Sequence, residues 1–262
     1  MEYLKVGGLS ARYSDAGSGE PVLLIHGLGG SIESWANNTG ELAKSLRVIA
    51  VDLPGFGLSD KPKMSYTMKF YRDFVARFLK MLKLGQASIV GSSLGGHVAA
   101  EVAISRPDLV KRLVMISPPG ALPRSFKGTP ALMRYAKLIN AKSTQQVKQA
   151  LFAVDGKPVD DSYARMVYQK MSMPGAREAF LSALLGSAKA PRLNGRLHKI
   201  KAPTLLLWGK EDVMIPVRFV EPFVKMKNCR IVMLESCGHR PHVDRPALFN
   251  KIVADFLAEL AL

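Results

Sequence analysis

Hydrophobic positions along the chain follow two rhythms. Apolar runs lie within residues 21–25, 47–51, 112–117, 204–208 and 230–235, and another ends at Val90. A run without polar alternation fits a strand buried on both faces, as in a parallel sheet. Elsewhere apolar residues return every three or four positions. Phe70, Tyr71, Phe74, Val75, Phe78, Leu79 and Leu82 form one such stripe within 67–84; Leu248, Phe249, Ile252, Val253, Phe256, Leu257 and Leu260 form another near the end of the chain. Both predict amphipathic helices. Residues 32–46 also read as helical, and 3–6 with 11–14 predict a short hairpin around glycines.

Through residue 120 the predicted order is β-α-β-α-β-α-β, which implies a mostly parallel sheet with right-handed crossovers. From 121 to 199 no strand-like run occurs, only helix-like segments near 130–140, 143–153, 160–171 and 175–187. Strands then resume. The expected class is α/β: a mostly parallel central sheet flanked by helices, with 1–120 and 200–262 as the core domain and 121–199 as a helical cap. An insertion near the strand ends is placed to roof a site, because ligands of open α/β sheets bind beyond the carboxyl ends of the strands.

Composition adds bounds. With 48% hydrophobic and 22% charged residues in a chain of 262, the protein reads as globular, with one large core. Its net charge is +16, and residues 121–201 hold 15 Lys/Arg against 4 Asp/Glu, eleven of the sixteen excess charges. Lysine-rich solvated helices explain this; weak attraction of anionic substrates or surfaces is the sharper reading. Basic–aromatic interleaving and known binding motifs are missing, so nucleic acid is not an expected partner. No run nears the roughly 20 apolar residues of a membrane span, and the first residues carry no basic segment leading into an apolar one. A cytoplasmic location is therefore expected. Cys229 and Cys237 flank a predicted strand, too far apart for the roughly 7 Å limit on bridging, and read as free thiols.

The chemistry centres on Gly91-Ser92-Ser93-Leu94-Gly95-Gly96, where an apolar run meets an Ala- and Val-rich helical stretch. Glycines two before and two after Ser93 permit a strained turn with strand and helix in close approach. Serine needs an adjacent base, itself oriented by a third group. His239, in the loop after the last strand, is the preferred base; His242 shares that loop, and His26, His97 and His198 read as structural or remote. Asp212, in Trp208-Gly209-Lys210-Glu211-Asp212, is preferred over Glu211 and Asp244 as the orienting acid. The order Ser93, Asp212, His239 differs from that of the chymotrypsin and subtilisin types. An oxyanion hole is expected from the backbone N–H groups of Leu94 and Leu28, with Gly29 as the alternative to Leu28. Such chemistry needs no cofactor or metal ion.

Five segments together resemble the α/β-hydrolase family: His26-Gly27-Leu28-Gly29-Gly30, Asp52-Leu53-Pro54-Gly55-Phe56-Gly57, the turn around Ser93, Trp208-Gly209 with Asp212, and Gly238-His239 with Pro241. The resemblance implies a serine hydrolase. A serine at 93 argues against the dehalogenase and epoxide-hydrolase branches, which use aspartate. The branch that cleaves carbon–carbon bonds of ring-fission products usually has Asn before the serine and Trp after the histidine, where this chain has Ser92 and Arg240. The expectation is therefore a carboxylic-ester hydrolase of the carboxylesterase/lipase-like branch acting through an acyl-enzyme on a small-molecule ester. C–C bond hydrolysis and acyl transfer, including transfer to peroxide, are the alternatives within the fold, and a ligand receptor built on a hydrolase body is the rival outside it.

Overall fold

The computed structural model describes residues 1–122 and 130–259, without the side chains of 130–133 and 155. Its N-terminal half contains β1 (Glu2–Val6), β2 (Leu9–Ala16), β3 (Pro21–Ile25), α1 (Ala36–Leu42), β4 (Arg47–Val51), α2 (Met68–Met81), β5 (Ala87–Ser92), α3 (Leu94–Ser105) and β6 (Val110–Ile116). Among the described residues, four α-helices follow before the next strand: α4 (Pro130–Asn140), α5 (Thr144–Asp155), α6 (Asp161–Met171) and α7 (Ala176–Lys189). The chain ends with β7 (Thr204–Gly209), α8 (Glu221–Val224), β8 (Cys229–Leu234), α9 (Pro241–Asp244) and α10 (Pro246–Ala258).

The strands form one sheet in the order β1-β2-β4-β3-β5-β6-β7-β8. β2 pairs antiparallel with both β1 and β4, and every other pair is parallel. The unalternating apolar runs are explained by two buried layers. Leu23, Ile25, Leu113, Met115, Leu206 and Trp208 face the layer that holds α2 and α3 residues. Their neighbours Val22, Leu24, Val114, Ile116, Leu205 and Leu207 face Trp35, Phe249, Val253 and Phe256 on the other side. Each fully buried Leu or Ile contributes roughly 1.5–3 kcal/mol.

Two expected elements differ in detail. The predicted helix over 32–46 is a 3-10 turn at Ile32–Trp35 followed by the short α1. Asn38 on α1 is buried and donates to Asn250 Oδ1 (2.8 Å) and to the His242 carbonyl (3.1 Å), so this segment is held by tertiary bonds. In the final helix Phe249, Val253, Phe256 and Leu257 of the predicted stripe are buried and Ile252 packs beside them, but Leu248 is exposed; Leu260 lies outside the described residues. Both cysteines are free thiols, Cys237 fully buried. Among the described residues no helix is long and apolar enough to cross a membrane.

β3 lies between β4 and β5, so the loops leaving β3 and β5 start side by side in opposite crossover directions. This is the switch point where open α/β sheets bind ligands.

Candidate active site

Ser93 stands between β5 and α3 with φ 51° and ψ −114°. This left-handed conformation costs a non-glycine residue about 1–3 kcal/mol. The turn is held by the Ser93 N–H donating to the Ile116 carbonyl (2.8 Å) and the His97 N–H donating to the Ser93 carbonyl (3.0 Å). The flanking glycines are required by contact. A Cβ on Gly91 would lie 2.3 Å from the Gly95 carbonyl oxygen, and one on Gly95 would lie 2.3 Å from that of Ile25. The same closeness brings the loop after β3 beside Ser93: a Cβ on Gly27 would stand 3.3 Å from that of Ser93. Among the described residues, the backbone N–H groups of Leu28 and Leu94 donate no hydrogen bond within the protein.

Asp212 follows β7 and is buried. Its Oδ1 accepts the N–H groups of Met214 (2.9 Å) and Ile215 (2.8 Å), and its Oδ2 lies 2.8 Å from His239 Nδ1. Burial opposes ionisation of this carboxyl, but the His239 charge, the His239 hydrogen bond and the Ile215 N–H outweigh it and hold its pKa below the usual range. The carboxylate therefore selects the His239 tautomer with hydrogen on Nδ1, which leaves Nε2 as the nitrogen able to take a proton.

The rivals have other roles. His242 packs in tilted contact with Trp35, ring centroids 4.4 Å apart, and burial followed by the charges of Arg240 and His239 pushes its pKa well down. His26 Nδ1 donates to the Gly27 carbonyl (2.7 Å), while Nε2 accepts the Leu53 N–H (3.0 Å). His97 is buried on α3, 3.7 Å from Glu101. Glu211, rejected as the acid, accepts the N–H groups of Ser236 (3.1 Å) and Cys237 (2.7 Å). Asp244 accepts that of Gly238 (2.6 Å). Together these two carboxylates fix the loop that carries His239.

One set of residues was not legible. Asp52, fully buried, accepts the Ile32 N–H (2.7 Å), Arg12 Nε (2.6 Å) and the Leu58 N–H (2.8 Å). Arg12 continues to Glu33 (2.9 Å), and Lys170 of α6 reaches the same Glu33 oxygen (2.5 Å) and Ser31 Oγ (2.8 Å). Only Asp52 carried a signal, in its glycine-rich motif. Burial opposes ionisation of Glu33, yet Arg12, Lys170 and Ser31 hold its pKa at about 2; Glu101, with His97 and bidentate Arg196, is likewise at about 2. Because both values are depressed from 4.5, their stabilisation is complete above pH about 4.5 and is lost as pH falls toward about 2. Melting temperature measured across that window should fall less steeply in a Glu33→Gln/Glu101→Gln double variant than in the wild type; an equal slope would contradict the assignment.

A sharply turned serine, a buried Asp–His pair and a neighbouring glycine-rich loop on one sheet edge define a hydrolase of the α/β type. The chain belongs to the alpha/beta hydrolase family, whose model matches residues 22–252. It is 32% identical over 265 residues to the 2-hydroxymuconate semialdehyde hydrolase of Pseudomonas sp. strain CF600, covering 96% of this chain and 92% of that protein. It is 30% identical over 272 residues to the 2-hydroxy-6-oxo-2,4-heptadienoate hydrolase of Pseudomonas putida strain F1, covering 96% and 94%. A crystal structure of a meta-cleavage product hydrolase, CumD, superposes with a TM-score of 0.88 at 26% identity, covering 99% of this chain and 98% of that one.

These relatives overturn the expected carboxylic-ester hydrolase. They are carbon–carbon hydrolases of ring-fission products, the alternative that Ser92 and Arg240 had lowered. The error has a physical source. Ser92 is a buried residue at the end of β5, and Arg240 donates to the Tyr163 hydroxyl (2.8 Å) with its guanidinium 5.1 Å from that ring. Neither is a bond-making group, and Ser, Asp and His serve both chemistries.

Proposed function

We propose that the protein hydrolyses a carbon–carbon bond of an anionic 2-hydroxy-6-oxo-2,4-dienoate. The observation that carries this reading is the 32% and 30% identity, over nearly the whole chain, to hydrolases named for such compounds. Ser93 is the nucleophile, His239 the base, Asp212 its orienting acid, and the N–H groups of Leu28 and Leu94 the oxyanion hole. Residues 121–199 act as the cap, and their basic excess favours approach of an anion.

The substrate supplies the leaving group that a simple ketone lacks. Tautomerisation places a proton on C5 and a ketone at C2. Ser93 then adds to the C6 carbonyl as His239 takes its proton, and the oxyanion rests on the two N–H groups. When the C5–C6 bond breaks, its electron pair runs through the C3=C4 double bond to the C2 oxygen, which the His239 imidazolium protonates. Water, activated by His239, releases the acyl group from Ser93.

Decay of dienoate absorbance, measured beside aryl-ester hydrolysis, tests the reading. The dienoate should be favoured in kcat/KM by about 10³-fold or more, a margin beyond the roughly 10–200-fold that one methylene in an apolar pocket provides. Preference for the ester would overturn the assignment.

A further inference from the structure

The loop between β3 and the 3-10 turn carries Leu28, yet it has little structure of its own. Three of its six residues (26–31) are glycine, and among the described residues the one backbone–backbone hydrogen bond made within the loop runs from the Gly30 N–H to the Gly27 carbonyl (3.0 Å). Its shape is therefore set by what touches it. From the core, His26 bonds to Leu53, and Asp52 takes the Ile32 N–H just beyond the loop. The β5–α3 turn packs on it too: a Cβ on Gly27 would lie 3.3 Å from that of Ser93, and one on Gly95 would lie 2.6 Å from the His26 carbonyl oxygen. The inserted helices add two further contacts. Phe180 of α7 is packed so close that a Cβ on Gly29 would lie 2.6 Å from its ring. Lys170 of α6, with a side chain only 14% exposed, binds Ser31 Oγ and Glu33 at the far end of the loop.

The charge pattern suits a clamp. Glu33 is shared between Arg12, anchored on fully buried Asp52, and Lys170. The core thus presents a fixed carboxylate, and α6 supplies the cation that meets it. A half-buried charged contact of this kind is directional, whereas the Phe180 contact is not. We propose that Lys170 is a positioning residue: by holding Ser31 and Glu33 it makes the placement of the Leu28 N–H depend on docking of the inserted helices. This rests on Leu28 being an oxyanion donor, but not on the dienoate being the substrate.

The test is the rate at which a fluorophosphonate labels Ser93, resolved into KI and kinact. Phosphonylation uses nucleophile, base and oxyanion hole whatever the natural substrate, so failure of the C–C reading leaves this readout intact. In Lys170→Met, kinact should fall about tenfold or more while KI stays near the wild-type value, because small displacements of a reacting group cost rates of that order. Lys170→Arg, which keeps the charge and donors, should recover most of the loss. If Lys170→Met does not fold, Ser31→Ala removes the loop-side acceptor and should give the same drop in kinact. Wild-type kinact in either variant, a change confined to KI, or no recovery by Lys170→Arg would overturn the proposal. Failure of the wild type to label would instead remove the Ser93 assignment beneath it.

Discussion

Ser93→Ala is expected to lower kcat on a ring-fission dienoate by at least about 10⁴-fold, since loss of the nucleophile removes the acyl-enzyme route altogether. The variant should fold as the wild type does. Alanine fits the space, and the turn is held by the backbone bonds from the Ser93 N–H to Ile116 and from the His97 N–H to Ser93, neither of which uses the hydroxyl. The positive φ of 51° is unchanged by this substitution, so the melting temperature should hold as well. Steady-state kinetics with a thermal melt of the same preparation checks both parts. Substantial residual turnover by a folded Ser93→Ala would mean that water, not Ser93, attacks the substrate.

Asp212→Asn should be nearly as damaging, by about 10³- to 10⁴-fold in kcat, for a different reason. The amide oxygen can still accept the Met214 and Ile215 N–H groups that Asp212 Oδ1 accepts now. The amide NH2 then faces His239 Nδ1, where the carboxylate oxygen stands at 2.8 Å. Two donors cannot share that contact, so the imidazole is driven to the tautomer with hydrogen on Nε2 and cannot take the nucleophile's proton. KM should change far less than kcat. A collapse of KM with kcat retained would place Asp212 in binding rather than in orienting the base.

What was legible in the chain follows from the range over which each feature is determined. The strands are local: β3, β4, β6 and β7 each hold an apolar run without polar alternation because both faces of the sheet are covered, by α2 and α3 on one side and by α1 and α10 on the other. The loops that end those strands inherit their place, so Ser93, Asp212 and His239 could be put on one edge from order alone. The brace was different. Arg12, Asp52, Glu33 and Lys170 come from four separate segments, and nothing near Lys170 in sequence distinguishes it from the other basic residues of 121–201. The supports of the His239 loop were hidden for the same reason, since Glu211 and Asp244 act through backbone N–H groups that any sequence would offer.

Substrate class was misread because the evidence for it is not in the bond-making groups. An ester and a vinylogous diketone ask the same things of a serine nucleophile, a histidine base and an oxyanion hole. They differ in the leaving group, an alkoxide in one case and a delocalised dienolate in the other. Ser92 and Arg240 do not mark that difference: Arg240 is turned to Tyr163 of α6, where it joins the His239 loop to the inserted helices. The likeness that supports the proposed dienoate extends over 96% of the chain, the inserted helices included.

Product identification decides the reaction class. Incubation with 2-hydroxy-6-oxo-2,4-heptadienoate, the compound named for the Pseudomonas putida relative, should give acetate and 2-hydroxypenta-2,4-dienoate in equal amounts by mass spectrometry, and neither product with Ser93→Ala. Recovery of the dienoate intact by a preparation that rapidly hydrolyses an aryl ester would contradict carbon–carbon hydrolysis.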